Sequence, residues 1–276
     1  MSRRRRASPT LSPSPDVGGW GPAAGLTLVL LAYSNGSAWW AMRRGEDPAV
    51  IYRWGTPLLT ASLLLGTLLF GRIGPGRLRR AVGLQGAGSR RALLGGLAAG
   101  AALAGPPLLF FARPMVLDTP LEYGAITDLS PAAFRRHIFR DLALGVALNE
   151  ELLFRGMLQA AWTRAAGPRA ALILSSLAFG GWHLTVTLDT LRNTNIAAAA
   201  TPLPAVLRPH AHTLGVSGGV LATAIAGGIF SGLRTWARGN LLAPILAHWL
   251  VDALMVVALY RRSHPPAPRL SPPTRR

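Results

Sequence analysis

Five stretches of this chain run for 18 to 26 residues without an Asp, Glu, Lys or Arg: 17–42, 54–71, 92–112, 170–188 and 209–233. About 20 apolar residues carry an α-helix across the hydrocarbon core of a bilayer, so each stretch is long enough to span. Two further apolar segments, 138–161 and 240–260, are interrupted by a few charges but read the same way. Only 14% of the 276 residues are charged, against roughly 25% in a soluble domain, and the mean hydropathy is +0.32. There is too little charge to cover a water-facing surface. The expected fold is all-α, a polytopic transmembrane helix bundle of about seven to eight spans. Coiled coils, disulfide scaffolds and bulk disorder are excluded.

The ends differ from the middle. Residues 1–19 are basic, then rich in Ser and Pro, and read as a disordered cytoplasmic tail. Residues 263–276 form a second tail, rich in Pro and Arg, so the bundle is expected over 20–262. The formal net charge of +18 comes from 29 Arg and no Lys. With abundant Ala, Gly and Pro this reads as a G+C-rich coding sequence, most simply a bacterial one. The Arg residues sit mostly between apolar segments, where cytoplasmic loops collect positive charge. Their partner is the lipid bilayer and its acidic headgroups, and no nucleic acid is expected.

Charge also orients the chain. Arg3 to Arg6 and the six Arg of loop 72–91 belong on the cytoplasmic side. The loops 43–53 and 113–137 then lie outside, with Glu46, Asp47, Asp118, Glu122 and Asp128. The expectation is a multi-pass protein of the cell membrane with a cytoplasmic N-terminus. Seven spans would leave the five Arg from Arg261 onward outside, against that rule, unless an eighth crossing lies in 191–214 or one segment is re-entrant. Small residues recur at helical spacing as Gly96/Gly100, Gly215/Gly219 and Gly228/Gly232, the pattern of close helix packing within one bundle.

Ionisable groups inside a membrane cost about 2.5–3.5 kcal/mol each on insertion scales and tend to mark function. Three sites hold them. Asn149-Glu150-Glu151-Leu152-Leu153-Phe154-Arg155 puts Glu151 and Arg155 four residues apart, able to pair, and leaves Glu150 about 100° away without that partner. Phe179-Gly180-Gly181-Trp182-His183 puts an imidazole one turn from a Phe, with a Gly pair that admits another helix. His248-Trp249-Leu250-Val251-Asp252 puts a carboxylate one turn from an imidazole, able to fix its tautomer. Each site taken alone has a structural reading, as an interhelix ion pair, a core histidine or polar bundle glue. Together they supply a base, two imidazoles and an orienting acid to one bundle interior.

The order Glu-Glu-x-x-x-Arg, Phe-x-x-x-His, His-x-x-x-Asp/Asn in a polytopic protein resembles the CPBP family, the CAAX protease and bacteriocin-processing (ABI) family that includes the type II CAAX-prenyl endopeptidases. The resemblance covers roughly 138–260, with Gly232-Leu233-Arg234 through Asn240-Leu241 also similar; the first 137 residues match in general character only. It implies intramembrane hydrolysis of a peptide bond in a membrane-associated protein or peptide, without a covalent intermediate. Glu150 would activate the water, with Glu151 and Arg155 holding the helix and tuning that carboxylate. His183 would position the water or protonate the leaving amine. His248, oriented by Asp252, would stabilise the oxyanion, and Phe179 would contact substrate or pack the site. Family members with a prenyl-protease mechanism usually carry Asn at position 252. An ionised Asp252 cannot donate to an oxyanion, so it must orient His248 or be protonated.

Other chemistries use the same residues. Glu150, His183 and His248 could ligate a divalent metal such as zinc, giving a metalloprotease, although no His-Glu-x-x-His is present and the preferred reading needs no cofactor. Gly215-Val216-Ser217-Gly218 has the form of a rhomboid-type serine site but leaves both Glu unexplained. A non-catalytic membrane scaffold or bacteriocin-immunity protein would keep the buried charges for folding alone. Membrane-anchored peptides, bacteriocin precursors and anti-sigma-type regulators are all permitted as substrates, while a bacterial host argues against a prenylated one.

Overall fold

The computed structural model describes residues 19–46, 51–70, 74–84, 89–112, 123–194, 206 and 208–264. The two tails fall almost wholly outside this range, as do Asp47, Asp118 and Glu122. Among the described residues there is no strand, only a single bridge between Tyr123 and Thr194. The elements are α1 (Trp20–Arg44), α2 (Thr56–Phe70, entered through a π-helical turn at Ile51–Gly55), α3 (Pro75–Ala81), α4 (Arg90–Ala112), α5 (Gly124–Thr127), α6 (Pro131–Arg136), α7 (Leu148–Glu151), α8 (Gln159–Trp182), α9 (Leu184–Asn193), α10 (Ala211–Trp236) and α11 (Leu242–Ser263). Segments of π-helix join α6 to α7 (His137–Ala147) and α7 to α8 (Leu152–Leu158).

Four described segments are long and apolar enough to cross a membrane: 90–109, 131–193, 211–236 and 242–263. The second is 63 residues long and turns at Gly167-Pro168. Gly167 has φ 84°, a conformation open to glycine without the clash a Cβ brings, and Pro168 then starts a new helix where its missing N–H costs nothing. One long apolar segment thereby becomes the two antiparallel passes that 138–161 and 170–188 predict. The other two predicted spans are α1, diluted by Ser34, Asn35 and Ser37, and α2, only 15 residues long.

Close approaches set the directions of the helices. A Cβ on Gly96 would meet Ala243 and Leu246, and one on Gly100 would meet Ala247 and Leu250, so α4 and α11 run parallel and end on the same face. Gly215 lies against Leu191 and Gly219 against Thr187, so α9 and α10 are antiparallel neighbours. The region 191–214, where the sequence leaves room for an eighth crossing, contains residues 195–205 and 207, which lie outside the described residues; the helices flanking them meet at one face. Large apolar side chains such as Leu58, Leu65, Phe70, Leu177, Leu221 and Ile225 point outward, as a lipid-facing surface requires. Inside, Phe154, Phe179, Trp182, Phe230, Leu153 and Leu158 pack around α8.

Candidate active site

Glu150 and Glu151 are introduced by a change of helical pitch. The π-helix of 137–147 gives way to α7, and Asn149 donates its amide to the carbonyls of Leu144 (2.5 Å) and Gly145 (3.2 Å) at that junction. The two carboxylates that follow are fully buried and do different things. Glu151 Oε1 accepts from Arg155 Nη1 at 2.9 Å, the pairing that the four-residue spacing predicts, and lies 2.9 Å from Nδ1 of His248 on α11. Glu150 Oε1 accepts from the Trp182 indole N–H at 3.0 Å. Its other oxygen, Oε2, has no hydrogen-bond partner among the described residues and faces Nε2 of His183 at 3.7 Å and Nε2 of His248 at 3.8 Å.

His183 occupies the break between α8 and α9, where φ −89° and ψ 3° take the backbone out of the helix. Its Nδ1 lies 2.8 Å from the Phe179 carbonyl. A carbonyl only accepts, so Nδ1 carries the hydrogen and Nε2 of the neutral ring is the acceptor that faces Glu150. His248 is held between two carboxylates: Glu151 at Nδ1, and Asp252 Oδ2 at 3.5 Å from Nε2. Sequence spacing predicts Asp252 as the acid that orients His248; in the structure the short contact is with Glu151, because α7 and α11 face each other across the bundle. The side chains of His183 and Asp252 are 18% and 30% exposed, so the site opens on their side.

Arg155 is caged by aromatics. Its guanidinium lies 4.1 Å from the Phe179 ring centroid and 5.2 Å from that of Phe230, an arrangement that offsets part of the cost of a buried cation. Phe179 also meets the rings of His183 (4.6 Å) and His248 (5.7 Å) edge-on, and it is buried, which favours the packing half of its expected role. Arg234 on α10 donates to the backbone carbonyls of Arg155 and Ala81. Just before α11, Asn240 Oδ1 accepts from the N–H of its first residue, Leu242, at 2.8 Å, and Leu241 N–H donates to Gly83 O at 2.9 Å. These contacts fix the start of α11 and so the height of His248.

The six ionisable residues singled out from the sequence thus converge on one site. Asn149, Trp182, Ser34 and Asn35 also support it and carry no sequence signal beyond being polar or aromatic in an apolar run. Ser217 is exposed on α10, on the side away from Gly215 and Gly219, which pack against α9. A cavity of about 560 Å3 near Glu46, Tyr123, Asp189 and Arg192 lies at the far end of α9 and includes none of these site residues.

Residues 138–254 match the family model described as Type II CAAX prenyl endopeptidase Rce1-like, and all six residues lie inside the match. No curated protein and no solved structure matches the chain.

Proposed function

Residues 138–254 form a domain of the type II CAAX prenyl endopeptidase Rce1-like family, so the chain is a multi-pass membrane protease, a hydrolase acting on peptide bonds, and on that premise we propose a glutamate-type reaction centred on Glu150. The observation that carries the reading is the lone Oε2 of Glu150, buried and facing two imidazole nitrogens at 3.7 and 3.8 Å. Those gaps are too long for a direct hydrogen bond and suit one bridging water.

Glu150 Oε2 and His183 Nε2 are both acceptors. A water between them gives each a hydrogen and keeps its lone pairs for a scissile carbonyl. As the water oxygen bonds to the carbonyl carbon, its proton passes to Glu150, the general base. The carbonyl oxygen takes up the negative charge and is met by Nε2–H of a protonated His248, held by Glu151 and Asp252. The C–N bond then breaks, and the amine leaves with the proton, delivered from Glu150 directly or through His183. Nothing is covalently attached to the protein.

A divalent ion would replace this water activation with Lewis-acid chemistry at Glu150, His183 and His248. The atoms that would face it are Glu150 Oε2, His183 Nε2 and His248 Nε2, while Glu150 Oε1 bonds Trp182 and His248 Nδ1 bonds Glu151. No step is routed through an ion here, and the chelator arm of the test below separates the two chemistries. The proposed setting is the cell membrane with the N-terminus cytoplasmic. Arg77, Arg79, Arg80, Arg90 and Arg91 gather where α3 lies and α4 begins, which favours that orientation. The proposed substrate is a membrane-associated peptide or protein.

The test is cleavage of a pooled membrane-peptide library by the purified full chain in detergent. Glu150→Gln keeps the side-chain volume and an acceptor for Trp182. It should lower the rate by about 10²–10⁴-fold with an unchanged melting transition, and chelator should leave the wild-type rate intact. Equal cleavage by the Gln variant would remove Glu150 from the chemistry. Chelator-sensitive cleavage restored by zinc would replace this mechanism with a metal-dependent one. A folded wild-type chain that cleaves nothing would favour the scaffold or immunity reading.

A further inference from the structure

We propose that Asn35 and Ser34 on α1 are positioning residues for His183, so that a helix outside the family-matched region completes the site; this rests on the role of His183 proposed above. Where α8 ends and α9 begins, the last carbonyls of one helix and the first N–H groups of the next lose their intrahelical partners. Inside a bilayer no bulk water can satisfy them. α1 supplies the missing partners. Ser34 Oγ donates to Trp182 O at 2.8 Å, and Asn35 Nδ2 donates to Gly181 O at 2.9 Å. Asn35 Oδ1 accepts from Thr185 N at 3.0 Å and from Thr185 Oγ1 at 2.8 Å. The amide can sit only one way round, because Gly181 O only accepts and Thr185 N–H only donates. The second Nδ2 hydrogen goes to Leu31 O at 3.0 Å, which ties the side chain back to its own helix.

His183 is thus flanked by residues clamped to α1 on both sides. The clamp matters because of what the break does to one carbonyl. In an unbroken α-helix the N–H of His183 would bond Phe179 O. Here it bonds Gly180 O at 3.0 Å, and Phe179 O is left for the imidazole Nδ1 at 2.8 Å. Holding the break open therefore fixes both the tautomer of His183 and the aim of Nε2 at Glu150. Gly181 is part of the fit, since a Cβ there would press on Leu31 of α1.

The decisive measurement needs no substrate: ring-nitrogen NMR of the full-length protein in detergent, labelled with 15N-histidine, the His183 signals being assigned by their loss in His183→Gln. Wild type should show a single neutral tautomer with the hydrogen on Nδ1. Asn35→Leu, which removes every bond of the clamp made by that side chain, should shift the signals toward an average of the two tautomers. Asn35→Asp keeps the acceptor toward Thr185 and should restore most of the wild-type pattern. The same variants are then assayed for cleavage. Asn35→Leu should lower kcat about a hundredfold, the scale of an ångström-sized misplacement, with KM changed less than about threefold, and Asn35→Asp should recover part of the loss. If Asn35→Leu does not fold, Ser34→Ala, which removes a single bond, serves in its place with a smaller shift of the same kind. Wild-type tautomer and kcat in a folded Asn35→Leu would overturn the inference even if Glu150→Gln is inactive. Conversely, an active Glu150→Gln would sink the catalytic reading while the tautomer result still decides whether α1 holds the ring.

Discussion

The two faces of α11 show how one helix can serve packing and chemistry at once. Toward α4 it offers Ala243, Leu246, Ala247 and Leu250, against which Gly96 and Gly100 bring the backbones together with no charged group. Toward α7 it offers His248, which meets Glu151 and Glu150, with Asp252 one turn on beside the same imidazole. Ala247 and His248 are adjacent in sequence and, about 100° apart on the helix, belong to different seams. The apolar seam sets the height and rotation of α11, and the polar seam uses that register to bring His248 Nδ1 within 2.9 Å of Glu151. Apolar packing in a membrane has no hydrophobic drive of its own and depends on fit, whereas the polar seam depends on every charge finding a partner. The two should therefore fail differently.

The largest effect is expected in the polar seam. Glu151→Ala leaves Arg155 buried without its carboxylate and frees His248 Nδ1. Removing one partner of a buried ion pair costs about 3–5 kcal/mol, so the melting transition in detergent should fall steeply and cleavage should disappear with it. Glu151→Gln, which keeps an acceptor in place, should lose less stability than the Ala variant. An Ala variant as stable as wild type would mean that the aromatic cage of Phe154, Phe179 and Phe230 carries Arg155 unaided.

This difference between seams is also why the sequence reveals them unequally. Charge-free runs of bilayer length mark the spans, and the Gly167-Pro168 pair marks the turn between two of them. Glu150, Glu151, Arg155, His183, His248 and Asp252 stand out because an ionisable group in an apolar run is costly. Spacing along one helix also yields the Glu151–Arg155 pair. It says nothing of what lies across the bundle, so the Glu151–His248 contact and the Trp182 bond to Glu150 appear only once the helices are packed. Ser34 and Asn35 were hidden for another reason. An uncharged polar residue in a span is common enough to pass as neutral, and its importance here comes from a break in a helix nearly 150 residues away.

The next effect belongs to the apolar seam. A Cβ on Gly100 would lie 2.8 Å from the Ala247 carbonyl and 2.9 Å from Leu250 Cβ, and neither atom is the end of a flexible side chain. Gly100→Ala must push α4 and α11 apart by some tenths of an ångström. Overpacking of this kind costs about 1–3 kcal/mol, measurable as a lower melting transition. Because α11 carries His248, kcat should fall as well, although no polar atom of the site is altered. A Gly100→Ala variant that loses stability but keeps its full kcat would show that the polar seam sets its own register, and the division of labour between the two faces would have to be reversed.

The smallest effect separates sequence pattern from contact. Gly228 and Gly232 have the same four-residue spacing as Gly96 and Gly100, yet a Cβ on Gly232 would meet nothing within 4 Å among the described residues. Its pattern is that of a packing seam and its surroundings are open. Ala in place of an unencumbered helical Gly gains up to about 1 kcal/mol through the smaller conformational freedom it gives up. Gly232→Ala should therefore leave cleavage unchanged and raise the melting transition slightly or not at all. A clear loss of stability there would require a contact beyond those among the described residues, such as a second copy packed on α10. The small-residue pattern would then mark an interface between molecules at Gly232 and a seam within one molecule at Gly100.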